Sequence, residues 1–196
     1  MAPRTPAPAA SRQNAAMTTP RLLRRLLATC LLGTALPVLA AEPVPLPTVP
    51  QVDLARYAGA WYEIALLPNR FQKQCVADTQ ARYRLDGDRV EVVNRCRKAD
   101  GRIDDIKGRA KVVDGSGNAK LRVSFFWPFY GDYWVLALDD DYRQVLVGAP
   151  SRQYAWVLSR TPQMDEAALQ ALLDRAAALG FDRAAFRRTP QTQPLD

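Results

Sequence analysis

The chain has 196 residues, 48% of them hydrophobic and 24% charged, which is ordinary globular composition with room for one domain after any leader. Its net charge of +7 does not point to nucleic acid, because five of the 27 basic residues and none of the 20 acidic ones precede Glu42, leaving 22 basic against 20 acidic. Histidine is absent altogether, which removes Ser-His-Asp and Cys-His nucleophile systems, the usual zinc sites and an imidazole ligand for haem.

In chain order, Arg21, Arg24 and Arg25 precede an apolar run from Leu26 to Leu39 that ends at Val38-Leu39-Ala40. Positive residues, a short apolar core and small residues before a cut site describe a secretory signal peptide, here residues 1–41, with Met17 a second candidate start. Cys30 lies inside that run and is expected to be discarded with it. Prolines at 43, 45, 47 and 50 predict an extended tether over 42–51, and the domain is expected over 52–188 with a tail at 189–196.

From there to Arg160 the period is two rather than 3.6, in eight segments separated by turn residues. They run from Trp61 to Leu67, Val76 to Leu85, Arg89 to Arg97, Ile106 to Val112, Lys120 to Phe126, Tyr133 to Leu138, Tyr142 to Gly148 and Tyr154 to Arg160. Cys75 and Cys96 lie at the open end of the hairpin turned at Asp86-Gly87. In an exported chain they are expected to form a disulfide, with a bulge absorbing their offset in register. After Pro162 the spacing of Leu169, Leu172, Leu173 and Ala176 is helical, Gly180 marks the stop, and Phe186 is expected to anchor the segment beyond it. Eight meandering strands remove their exposed edges by closing into an up-and-down antiparallel barrel, all-β with one C-terminal helix; a two-sheet sandwich is the competing closure.

Gly59-Ala60-Trp61-Tyr62, Leu138-Asp139-Asp140-Asp141-Tyr142 and Leu158-Ser159-Arg160-Thr161-Pro162 resemble the three lipocalin motifs, in order. Val123-Ser124-Phe125-Phe126 with Pro128-Phe129-Tyr130-Gly131, and Gly180-Phe181-Asp182, are more narrowly similar to bacterial outer-membrane lipocalins related to apolipoprotein D. The resemblance implies that Trp61 plugs the closed end of the barrel beneath Arg160, with Gly59, Tyr62, Asp141 and Tyr142 as the other structural motif positions. Alternation from Trp61 and Arg160 then predicts a lining of Ala65, Tyr83, Val92, Asn94, Phe125, Tyr133, Val135, Tyr154 and Trp156, with Glu63 and Leu67 on the same parity. A core packed solid by these rings is the alternative. The resemblance also implies that loops after odd-numbered strands form the mouth, placing Phe71, Trp127, Phe129 and Tyr130 there; as exposed aromatics they fit an entrance, a membrane surface or a second copy. Trp127 stands where related bacterial sequences have a small residue, which would narrow the entrance.

The function these features imply is reversible binding of a fatty acid or lysophospholipid-like lipid by an exported, periplasmic protein associated with the outer membrane. The protein would be a non-enzymatic monomer or weak homodimer with no cofactor, no metal and no nucleic-acid partner. The alternatives are a lipid-modifying enzyme on the same barrel, and an interaction module acting through the mouth aromatics.

Overall fold

The computed structural model describes residues 45–193 and Leu195. The expected signal peptide, Met17 and Cys30 lie outside the described residues. A one-turn helix α1 (Leu54–Tyr57) leads into eight antiparallel strands: β1 (Gly59–Leu66), β2 (Cys75–Asp86), β3 (Arg89–Lys98), β4 (Ile103–Val112), β5 (Lys120–Phe126), β6 (Phe129–Leu138), β7 (Gln144–Gly148) and β8 (Ala155–Ser159). Helix α2 (Glu166–Ala178) and a two-residue strand β9 (Arg187–Arg188) complete the order. Each strand pairs with the next, and β1 pairs with both β2 and β8, so the sheet closes as a barrel and not as a sandwich. The disulfide joins Cys75 to Cys96 with 5.5 Å between their Cα atoms, and two register shifts in β2, between Cys75 and Ala77 and between Ala77 and Gln80, bring them together.

Two apolar layers result from the period-two alternation. Inward residues such as Trp61, Tyr83, Val92, Val145 and Leu158 form one cluster, while outward residues such as Leu146 and Val157 pack with Leu169, Leu173 and Ala176 of α2 in another. Asp165 caps α2 by accepting the Ala168 N–H at 3.0 Å. The helix ends in a Schellman turn: the Phe181 and Gly180 N–H groups donate to the carbonyls of Ala176 and Ala177, with Gly180 at φ 86°.

Three expectations change in the structure. The proline-rich stretch is docked rather than loose, since Leu46 is buried in the outer cluster and the Val49 N–H donates to the Val135 carbonyl at 3.0 Å. The stronger anchor beyond α2 is Phe181, which is buried against Gly148, while Phe186 is half-buried. The C-terminal residues are also part of the barrel wall. β9 pairs with Ala65 and Leu66 of β1 on the side that β2 leaves, and the chain beyond it hydrogen-bonds to both strands. Asp78 organises that seam: its carboxylate accepts from Arg97 Nε at 2.6 Å and from the backbone N–H groups of Thr192 and Gln193 at 2.6 and 2.9 Å. Burial alone would push the Asp78 carboxyl up, yet these bonds hold it below its ordinary range.

Candidate functional site

The closed end of the barrel is filled. Trp61 is fully buried, donates from Nε1 to the Tyr57 carbonyl at 2.8 Å, and carries the Arg160 guanidinium 4.0 Å above its ring centroid. Arg160 donates to the carbonyls of Ala60, Arg56 and Tyr142, so its charge is spread over the ends of three segments. Gly59 sits at φ 99° with a Cβ position only 3.2 Å from Arg160 Nη1, which explains glycine in that motif position. Tyr142 accepts the Asp53 N–H at its hydroxyl and stacks under Arg56 at 4.1 Å. Asp139 and Asp141, on either side of that turn's centre, pair with Arg143. Tyr62 faces outward, half-buried against the α2 layer.

Above Trp61 lies a floor of three tyrosines. Tyr57 and Tyr133 share a hydrogen bond of 2.7 Å between their hydroxyls, and the Tyr83 hydroxyl donates to that of Tyr133 at 3.0 Å. Burial pushes all three phenols up, Tyr83 to about 12, so the cluster stays neutral. A small void of about 20 Å³ lies against these tyrosines, between Leu85, Val90, Leu121 and Val123.

The wall above is different. Ala81, Asn94, Val123, Phe125 and Trp156 point inward yet are half-buried, so the upper barrel is an open cup and not a solid core. Gly108 leaves room for the Phe125 ring, since a Cβ there would fall 2.7 Å from it. Asn94 holds a buried Oδ1 with no protein partner among the described residues. Val92 is buried at 3% exposure beside the tyrosines. Two predicted lining residues do not line the cup. Val135 is fully buried in the packed closed end. Ala65 faces outward into the α2 layer, because a bulge between Glu63 and Ala65 reverses the parity of β1. Leu67 joins that outer layer too.

At the mouth, Phe71 packs on Tyr154 and Tyr154 on Trp156, with ring centroids 5.7 and 6.4 Å apart. Phe126, Trp127 and Phe129 are exposed by 70, 83 and 76%, and form an apolar lip opposite Phe71. Tyr130 is half-buried under Arg122.

One polar cluster was not legible as a site. Glu63 pairs in register with the inward Leu158 and is buried. Its carboxylate accepts from Gln72 Nε2 at 2.7 Å and from the Thr189 hydroxyl, while Gln72 Oε1 accepts from Trp156 Nε1 at 2.8 Å. A polar relay therefore runs from the indole of the cup wall to a carboxylate that has no ion-pair partner among the described residues. Burial raises its pKa, opposed by the bonds from Thr189 and Gln72. Parity placed Glu63 inside, but Gln72 and Thr189 come from segments with no periodic signal.

The profile of the lipocalin-like domain matches residues 52–191. The chain belongs to the lipocalin family. It is 41% identical over 150 residues to temperature-induced lipocalin-1 of Arabidopsis thaliana, covering 72% of this chain and 80% of that one. It is 40% identical over 135 residues to outer membrane lipoprotein Blc of Escherichia coli, covering 68% and 76%. Among solved structures, insecticyanin of the tobacco hornworm Manduca sexta superposes with a TM-score of 0.61 at 24% identity, over 78% of this chain and 89% of that one, which speaks to the fold alone.

This kinship corrects the reading of the chain as non-enzymatic. The missing histidines and the closed disulfide remove only imidazole and thiol chemistry, so they do not make the chain non-enzymatic. Carboxylate chemistry at Glu63 is left. The lipocalin cup, with apolar walls, a neutral floor and an apolar lip, is a container for a small lipid.

Proposed function

We propose that this lipocalin takes a single-chain, lysophospholipid-like lipid chain-first into the cup and acts on its acyl ester, with Glu63 as the proton-transfer group. The observation that carries the reading is the half-exposed apolar wall joined, through Trp156 and Gln72, to the buried carboxylate of Glu63. The acyl chain gains about 0.8 kcal/mol per buried methylene before ordering costs, which suffices to hold a flexible chain in a cup with few polar groups. Burial raises the pKa of the Glu63 carboxyl, which makes its carboxylate a stronger base than an exposed one. In hydrolysis, water bonds to the acyl carbon, the bond to the glycerol oxygen breaks, and Glu63 carries the proton from the water to that oxygen. The place is the envelope: the leader marks export, and the relative Blc is by name an outer membrane lipoprotein.

The test incubates purified protein with a lysophospholipid of defined acyl position, read by native mass spectrometry and by chromatography of the lipid. A one-to-one complex and a time-dependent acyl product are expected, with turnover falling roughly a hundredfold or more in Glu63→Gln. A complex whose lipid stays unchanged for as long as the blank would refute the catalytic part, leaving storage or transport. No complex at all would refute the whole reading.

A further inference from the structure

A second cavity, of about 270 Å³, opens beside the barrel between the β1–β2 loop, the start of β2 and the strand-forming tail. Its charged lining is Lys73, Arg187 and Arg188 against a single acid, Glu63. We propose that this cavity is a phosphate site, reading the headgroup of a phosphorylated lipid through Lys73 and Arg187; the inference rests on the lipid reading of the cup.

Charge, room and position support it. Three cations are brought to one cavity, and only Arg188 is neutralised, by Glu166 on α2. Arg187 donates from Nη1 to the carbonyls of Ala184 and Phe186, at 3.0 and 3.1 Å. Those bonds orient its guanidinium without cancelling its charge, and among the described residues neither it nor Lys73 has a carboxylate partner. A planar guanidinium and a point ammonium in one pocket are a general recipe for holding phosphate oxygens. The volume is roughly nine times the ~30 Å³ share of a water molecule, room for a phosphate with a short polyol.

Position ties the cavity to the cup. Glu63 and Gln72 belong to its lining, and Gln72 is the residue that reaches Trp156 in the barrel. A lipid with its chain in the cup and its ester near Gln72 would thus have its phosphate on the basic side of the same relay. The cationic rim is supplied by two segments that meet only in the folded barrel, the β1–β2 loop and β9.

The experiment compares lauroyl lysophosphatidic acid, monolauroylglycerol and inorganic phosphate on the full exported chain and on a Lys73→Ser, Arg187→Ser variant. Circular dichroism first establishes that the variant is folded. The wild type is expected to bind the phosphorylated lipid about tenfold or more tightly than its uncharged counterpart, and the variant to bind both alike with the monoglyceride affinity unchanged. Equal affinities in the wild type, or an undiminished preference in the variant, overturn the site. If neither lipid binds, the reading of the cup fails and the cavity is judged on phosphate alone. Amide shifts at Lys73 and Thr189 in the wild type but not in the variant then uphold it, and their absence overturns it. Shifts with free phosphate but no preference for the phosphorylated lipid would identify a phosphate-ion site and overturn the headgroup assignment.

Discussion

Replacing Trp61 by alanine tests whether the closed end is structural and independent of the cup. The side chain is fully buried, and truncating a buried aromatic ring to alanine costs 3–5 kcal/mol in general. Two further losses are local: the Arg160 guanidinium at 4.0 Å loses its ring, about 0.5–1 kcal/mol, and the Tyr57 carbonyl loses its indole donor, about 1 kcal/mol. These losses overlap, so the expected cost is about 5 kcal/mol, against a total of about 5–15 for a domain. At about 2–4 °C per kcal/mol, Tm should fall by roughly 10–20 °C. Urea unfolding monitored by far-UV circular dichroism, with the disulfide intact, measures it. Trp61→Phe keeps most of the ring and should lose less than half as much. The three tyrosines separate Trp61 from the cup, so Trp61→Ala protein that remains folded at low temperature should still bind lipid. A cost under about 1 kcal/mol, or a stably folded variant that had lost its ligand, would refute this assignment.

Filling the cup should act on binding instead: Val123→Trp removes space for about four methylenes, which at ~0.8 kcal/mol each is roughly two hundredfold in Kd, with little change in Tm. Asp78 titrates below its ordinary value in the fold, so the stability it contributes is present above about pH 3.9 and is lost as pH falls through the lowered value. Asp78→Asn should cost about 2 kcal/mol at neutral pH and speed hydrogen exchange at the Thr192 and Gln193 amides; unchanged exchange would show that the tail is held otherwise. Glu63 has the reverse sign. Its raised pKa makes its contribution greatest below about pH 4.3, and that contribution is lost as pH rises through the raised value. Glu63→Gln should therefore flatten the decline of Tm between pH 4 and 8, and a parallel pair of curves would count against a buried, unpaired carboxylate. Cys75→Ser with Cys96→Ser opens a loop of sequence separation 21, worth about 3 kcal/mol in the chain-entropy model, readable as a urea midpoint shift.

Alternation in the sequence determined eight strands and their meandering order, because a strand with one apolar face must bury it, while the pairing of β1 with β8 decided for the barrel over the sandwich. The Cys75–Cys96 disulfide and the α2 face were legible for the same reason: each is local, set by spacing within one hairpin or one helix. Parity failed at Ala65, where one bulged residue in β1 turns the rest of the strand over, and a bulge has no signature in the composition of that strand. It failed in another way at Val135, whose direction is inward but whose depth puts it in the packed floor. What only the tertiary structure decided is which polar groups meet. Gln72 comes from a loop, Thr189 from the stretch expected as a tail, and both segments gather on Glu63 because β2 leaves the side of β1 that the tail then fills. Alternation fixes which side of a wall a residue takes, whereas contacts between distant segments depend on where the wall opens, and that is settled when the whole barrel closes.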